Sequence, residues 1–216
     1  QLKKSINALN ASITAIGGYV PDERLTNKKL ESMVETNDQW IQNKTGIKER
    51  RILSDPSKAT SYLAIKAANN LITKNDIDPK EIEMIILATA TPDMQIAATA
   101  AYVATKIGAS NAFGYDLQSA CSGFLYAMSM AAGKIESGRY KKILVIGADK
   151  MSSLINYEDR STCIIFGDGA GAVLFEPNKD KLGWQDEYFK SDGGDRDSLK
   201  VKAGGSLFPA TETSVL

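Results

Sequence analysis

The chain contains no histidine, so none of its 216 residues offers an imidazole. Cysteine is scarce too: two residues, Cys121 and Cys163, are no disulfide framework and no metal-ligand cluster, and no metal site is expected. Charge of one sign is not in excess, since 26 Lys and Arg balance 26 Asp and Glu. That balance argues against nucleic acid or an anionic membrane surface as partner. Nor does any apolar run approach the roughly 18 residues needed to span a bilayer, and the N-terminus has no signal-peptide pattern. A cytoplasmic globular protein is the expectation. Its length suits one domain, or one and part of another, and a chain of this size buries about 70% of its unfolded surface.

What is present alternates between strand-like and helix-like segments, the pattern of an α/β layered sandwich. Ile13 to Tyr19 reads as a first strand, and after Pro21 a cap at Thr26 or Asn27 precedes a short helix marked by Leu30, Met33 and Val34. A second short helix carries Trp40. From Thr60 to Thr73, residues Ala64, Ala67, Ala68, Leu71 and Ile72 form one helical face, with Thr60 or Ser61 as cap. The continuous apolar runs Met84 to Ala88 and Ile143 to Ile146 suit central strands covered on both faces. Between them lie a helix over Ala97 to Ile107 and a strand over Phe113 to Leu117. Thr162 to Phe166, Ala172 to Phe175 and a segment around Tyr188 complete the expected strands. The tail after Gly194 is rich in glycine and charge.

Gly167-Asp168-Gly169-Ala170-Gly171 lacks the lysine and Ser/Thr of a phosphate loop and is incomplete as a dinucleotide fingerprint. A tight strand-to-strand connection, needing positive φ or close backbone approach, fits it better. Cys163, inside an apolar run, reads as core.

Cys121 is different. It follows the strand ending at Leu117 and precedes Phe124, Leu125, Met128, Ala131, Ala132 and Ile135, which recur at helical spacing. A thiol at a helix N-terminus meets unpaired N–H groups and the positive end of the helix dipole. Such sites bring a cysteine from about 8.5 down to roughly 3.5–7.5. Small neighbours Ser119, Ala120, Ser122 and Gly123 leave room for a substrate carbonyl. On spacing alone, a nucleophile and a packing cysteine at an element boundary are both open readings.

Three stretches resemble the β-ketoacyl-acyl-carrier-protein synthase III family of condensing enzymes. They are Asn37-Asp38-Gln39-Trp40-Ile41 through Thr45-Gly46-Ile47-Lys48-Glu49-Arg50-Arg51, Asp116-Leu117-Gln118-Ser119-Ala120-Cys121-Ser122-Gly123-Phe124, and Tyr157-Glu158-Asp159-Arg160 followed by Phe166-Gly167-Asp168-Gly169-Ala170-Gly171-Ala172. They occur in the family's order, and the resemblance runs from about Ser12 to Pro209. It implies a thiolase-like, duplicated αβαβα sandwich, of which this chain would hold the first half and the start of the second. Residues 1–180 would be the N-terminal half with the nucleophile, and 181–216 the beginning of the connection onward. The family's Cys-His-Asn set takes its histidine and asparagine from the second half, so the N-terminal two-thirds of a longer enzyme is expected, unable to condense by itself.

The resemblance further implies that Cys121 takes an acyl group from acyl-CoA and passes it to malonyl-acyl-carrier protein in a decarboxylative condensation. The CoA adenine would lie between Trp40 and Arg160, with Thr36 and Lys44 also on the ligand. Relatives often carry arginine where Lys44 stands, and lysine lacks the bidentate fork for phosphate. CoA is expected as a substrate, with no permanently bound cofactor. Ile96-Ala97-Ala98-Thr99 replaces a bulkier pocket wall near an expected homodimer interface, which suggests tolerance of longer or branched starters. The alternatives are a related secondary-metabolite ketosynthase or acyltransferase, and a non-catalytic partner subunit of a heteromeric synthase.

Overall fold

In a computed structural model, which describes residues 10–180 and 182–211, the chain enters through strand β1 (Asn10–Tyr19) and a short strand β2 (Arg24–Thr26). Thr26 caps α1 (Asn27–Leu30) by accepting from the Lys29 N–H at 3.2 Å. This helix stops at Leu30, which leaves Met33 and Val34 in the following turn. Asn37 caps α2 (Asp38–Thr45), accepting from the Trp40 N–H at 2.8 Å, and Gly46 ends it at φ 73°. A cap in the left-handed region is where glycine has no steric penalty. Strand β3 (Glu49–Arg51) then pairs antiparallel with β2.

The next helix, α3 (Thr60–Lys74), is not capped as expected. Ala59 occupies the cap position without a side-chain bond, and the Thr60 hydroxyl donates instead to the Thr91 carbonyl at 2.5 Å. The Ser61 N–H is satisfied from a distance, by Asp93 Oδ1 at 2.9 Å. Strand β4 (Met84–Ala88) and helix α4 (Thr99–Ile107) follow. Ala97 lies outside α4 because its φ of 79° is incompatible with a right-handed helix. Strand β5 (Phe113–Leu117), helix α5 (Gly123–Glu136), strand β6 (Ile143–Lys150), the single turn α6 (Arg160–Cys163) and strand β7 (Asp168–Asn178) complete the described elements.

Five strands form one mixed sheet in the order β1-β7-β6-β4-β5. β4 runs parallel to both β5 and β6, whereas β7 is antiparallel to β1 and β6. Every residue of β4 is buried. Alternate residues face opposite layers, as a pleat requires. Ile85 and Leu87, with Leu144 and Ile146 of β6, pack against Ala64, Ala67, Ala68 and Leu71 of α3 and Ala100, Val103 and Ala104 of α4. Met84, Ile86, Ile143 and Val145 pack the other way, against Ala127, Ala131, Ala132 and Ile135 of α5. Each fully buried Leu or Ile here contributes about 1.5–3 kcal/mol. The result is one helix-sheet-helix set of the expected thiolase-like sandwich.

Two expected strands do not form. The Thr162 to Phe166 segment is the end of α6 and a turn, because Asp159 caps that turn by accepting from the Ser161 N–H at 2.9 Å. The segment around Tyr188 has no strand pairing, and Tyr188 is exposed. Gly167 to Gly171 is likewise not a strand-to-strand connection: it leads into β7 and lies along its start, and none of its glycines has positive φ. Close approach does apply at Gly167, where an added Cβ would sit 3.1 Å from Arg50 Cβ and from the Arg51 carbonyl. Among the described residues, those from 10 to 185 form one compact unit and those from 186 to 211 a second, smaller one without helix or strand. In the second, Lys200 pairs with Asp197 at 2.5 Å and the Gly204 N–H donates to the Phe208 carbonyl at 2.9 Å. The expected boundary at 180/181 adjoins Lys181, which lies outside the described residues, as do 1–9 and 212–216.

β1 and α3 approach each other closely at Gly17. A Cβ on Gly17 would stand 2.5 Å from the Leu71 nitrogen and 2.6 Å from the Ala67 carbonyl oxygen, whereas a Cβ on Gly171 would meet nothing within 4 Å. Gly17→Ala is therefore expected to destabilise by about 1–3 kcal/mol through overpacking, and Gly171→Ala to be near neutral. Urea denaturation midpoints of the two variants check this, and equal midpoints would refute the close-approach account.

Candidate active site

The two cysteines occupy opposite environments. Cys163 is buried at the end of α6 among Leu25, Leu30, Ile41 and Ile164, and burial pushes its thiol above the ordinary value. It is the packing residue expected of it. Cys121 is exposed, in a 3-10 turn (Ala120–Ser122) between β5 and α5. It thus sits just ahead of α5 rather than in its first helical turn. No side chain caps α5, since Ser122 at the cap position has helical torsions and makes no cap bond.

The backbone that presents Cys121 is held in an uncommon conformation. Ala120 has φ +44°, a region that non-glycine residues seldom occupy and that persists where surroundings enforce it. The enforcing contacts are visible. Gly123 is buried against Ala88 and Leu117, with a Cβ position 3.5 Å and 3.6 Å from their side chains. Phe124 lies over Gly147 of β6, where a Cβ would come within 3.0 Å of the ring. Ala88, Leu117 and Gly147 all lie at or near the carboxyl ends of the parallel strands β4, β5 and β6. That edge is where open α/β sheets place their ligand sites.

Carboxylates pin the same edge. Asp116, on β5, accepts from the Thr99 and Ala100 N–H groups at 2.8 and 2.7 Å and so anchors the start of α4 to the strand preceding Cys121. Asp149, on β6, accepts from the Ala90 N–H at 2.7 Å and from the Thr89 and Thr91 hydroxyls at 3.1 Å each. Asp168, buried at the start of β7, accepts from the Leu53 N–H at 2.7 Å and the Ser152 N–H at 2.8 Å. None of these three was legible as a site residue, because a lone aspartate at a strand end has no periodic signal. Each acts through backbone N–H groups distant in sequence.

Trp40 and Arg160 come together. The Arg160 guanidinium carbon lies 4.9 Å from the Trp40 ring centroid, and its Nη1 donates to the Glu35 carbonyl at 3.1 Å. Trp40 occupies the first turn of α2 and Lys44 the last, four residues on, so the two share a helix face. Lys44 is exposed, and at the C-terminal end of α2 its charge is favourably placed against the helix dipole. Thr36 lies just before the Asn37 cap. Its Oγ1 is the one buried side-chain polar atom among the described residues without a hydrogen-bond partner. Cys121 belongs to a separate neighbourhood, the strand ends. No group of three or more His, Cys, Asp or Glu suited to a metal ion occurs among the described residues, and none of their helices is long and apolar enough to cross a membrane.

Comparison with known proteins agrees with this architecture. A family model described as 3-Oxoacyl-[acyl-carrier-protein (ACP)] synthase III matches residues 115–193, the stretch that holds both Cys121 and Arg160. The chain is 50% identical over 207 residues to "Beta-ketoacyl-[acyl-carrier-protein] synthase III 2" of Bacteroides thetaiotaomicron, covering 96% of this chain and 62% of that protein. Its fold matches the crystal structure of 3-oxoacyl-acyl-carrier-protein synthase III from Aquifex aeolicus with a TM-score of 0.76 at 44% identity, over 79% of this chain and 55% of that one. It also matches a priming β-ketosynthase of the R1128 polyketide biosynthetic pathway, with a TM-score of 0.77 at 30% identity, over 83% and 54%. The chain therefore spans less than two-thirds of these relatives' length, and by sequence and fold it belongs to the 3-oxoacyl-acyl-carrier-protein synthase III family.

Proposed function

We propose that the whole protein is an acyl-transferring condensing enzyme that starts fatty-acid synthesis, with Cys121 as its nucleophile. The observation that carries this reading is the exposed thiol at the carboxyl edge of the parallel strands, presented by a strained turn ahead of an uncapped helix. The Cys121 thiolate attacks the carbonyl of an acyl-CoA thioester. A new carbon–sulfur bond forms, the old one breaks, and CoA leaves as its thiolate. Backbone N–H groups at the head of α5 are suited to hold the transient oxyanion. In the second half-reaction a malonyl group on acyl-carrier protein loses carbon dioxide. The resulting enolate carbon attacks the acyl carbonyl, and the Cys121 thiolate is released with formation of a 3-oxoacyl-carrier protein.

Stabilising that enolate requires groups that the family takes from its second half, and no histidine is available within these 216 residues. The condensation step is accordingly proposed for the complete protein. Coenzyme A is proposed as a transient substrate with no resident cofactor, in a cytoplasmic homodimer.

Trp40, Arg160, Thr36 and Lys44 are proposed to hold the nucleotide end of CoA. A purine gains stacking on an indole face and on a planar guanidinium. With the guanidinium already resting on the ring, the adenine takes its place by displacing the exposed Arg160 side chain from that face. A buried hydroxyl without a partner, as at Thr36, is the kind of group commonly satisfied by a ligand or ordered water. Lys44 supplies a point charge for phosphate.

A secondary-metabolite role is the second reading, favoured by the fold match to a polyketide-pathway priming enzyme. The two readings share the chemistry at Cys121 and differ in starter. Ala97, Ala98 and Thr99 line a cavity after the exposed Ile96, and they are the small-residue wall of this reading.

Three outcomes are expected. Incubation with acetyl-CoA gives a single acetyl adduct by intact mass, absent when the thiols are first blocked with iodoacetamide and absent in Cys121→Ala; an adduct surviving in the variant would refute the assignment. Trp40→Ala weakens CoA by about 1–3 kcal/mol, roughly 5- to 150-fold in apparent KM, with little change in acylation rate at saturation. Among acetyl, isobutyryl and octanoyl donors, the larger two acylate Cys121 at rates comparable to acetyl, and strict acetyl preference would count against the open wall.

A further inference from the structure

Arg50 is a charged residue in the interior that neither the proposed chemistry nor the sheet requires. It is 4% exposed, and among the described residues no carboxylate stands at ion-pair distance from it. Its bonds all go to neutral acceptors. Nε donates to the Ile164 carbonyl at 2.8 Å, Nη2 donates to the same oxygen, and Nη1 donates to Asn27 Oδ1 at 2.5 Å. Asn27, itself buried, passes the connection on: its Nδ2 donates to Asp38 Oδ1 and to the Ile47 carbonyl, both at 2.8 Å. Asp38 Oδ2 accepts in turn from Gln42 at 2.7 Å.

The ends of this chain of bonds are informative. Ile164 is the C-terminal cap of α6, one helical turn after Arg160, and Asp38 is the first residue of α2, two before Trp40. Burying an unpaired guanidinium is costly, and an apolar residue of similar volume commonly serves stability as well or better. A planar fork, however, fixes two acceptors at a set angle, which no apolar side chain and no lysine does.

We propose that Arg50, acting through Asn27, is a positioning residue that sets the spacing of the Trp40 face and the Arg160 guanidinium, and thereby tunes affinity for the adenine nucleotide end of the acyl donor. The proposal rests on the CoA reading above. It assigns Arg50 no contact with substrate.

The test compares two donors on the same protein: acetyl-CoA, and acetyl-pantetheine, which carries the thioester without the nucleotide. Binding of adenosine 3′,5′-bisphosphate, the isolated nucleotide end, is measured by calorimetry alongside. Arg50→Lys, which keeps the charge and loses the fork, is expected to weaken the bisphosphate and raise the acetyl-CoA KM about tenfold, within the range one cation–π face supplies. Acylation of Cys121 by acetyl-pantetheine should stay within about twofold on the same reasoning. Equal losses with both donors would show a general structural role and overturn the proposal, as would unchanged bisphosphate affinity. Asn27→Ser, which keeps Arg50 but cuts its link to Asp38, should reproduce the nucleotide-selective loss and carries the test alone where Arg50→Lys does not fold; wild-type affinity in Asn27→Ser would overturn it. Trp40→Ala separates the two levels. Undiminished bisphosphate binding in that variant removes the nucleotide site itself, and the positioning role with it, whereas loss in Trp40→Ala without loss in Arg50→Lys leaves the site standing and rejects only the positioning role.

Discussion

Burial of β4 and β6 on both faces is the constraint from which the rest of this architecture follows. The apolar runs Met84 to Ala88 and Ile143 to Ile146 must be covered above and below, so α3 and α4 are drawn to one face and α5 to the other. Because β4, β5 and β6 run parallel, the β4-to-β5 and β5-to-β6 connections must both be crossovers, and both leave from the same edge. Polar backbone groups accumulate there with no sheet partner. Asp116 and Asp149 satisfy three of them, the Thr99, Ala100 and Ala90 N–H groups, at distances of 2.7 to 2.8 Å. Cys121 stands at that edge because the β5-to-α5 crossover begins there, not because a separate device brings it.

The same logic separates what was legible in the sequence from what was not. Met84 to Ala88 and Phe113 to Leu117 could be bounded to the residue, since the apolar and aromatic side chains that suit a strand lie within each run itself. The α5 face was equally plain, although Leu125 turned out half-exposed while Ala127, which broke no pattern, is buried. Failures cluster where a distant residue decides the local conformation. Thr162 to Phe166 has the apolar content of a strand, but Asp159 nucleates a helical turn ahead of it. Thr60 has the chemistry of a helix cap, but its hydroxyl is taken by the Thr91 carbonyl, 31 positions away. Around Tyr188 an aromatic residue suggested a strand, yet no strand partner is present among the described residues.

For the candidate site the division is similar. Cys121, Trp40 and Arg160 were marked by resemblance, and the cation–π contact between the last two is a relation across 120 positions that no periodicity encodes. Arg50 and Asn27 were in view only as members of a motif and a candidate cap, because hydrogen bonds to single carbonyls and amides leave no compositional trace.

The small β2–β3 unit with α1, α2 and α6 has a core of its own, built on Leu25, Leu30, Ile41, Cys163 and Ile164. Five side chains of this kind are a thin apolar core for two short helices, one helical turn and a two-stranded ribbon, and thin cores fix orientation poorly. Directional bonds compensate for that. Asp38 and Asp159 each accept several hydrogen bonds that hold their carboxyl groups below the ordinary value, chiefly from Asn27 in the first case and Ser161 in the second. Stability from such groups is present above the unfolded value of 3.8 and is lost as pH falls through the lower folded value. The helices bearing Trp40 and Arg160 are thus held by polar contacts that persist throughout the neutral range, while the sheet holding Cys121 is held by apolar burial. The proposed nucleotide site and the proposed nucleophile rest on different physical supports, so substitutions can alter one while sparing the other.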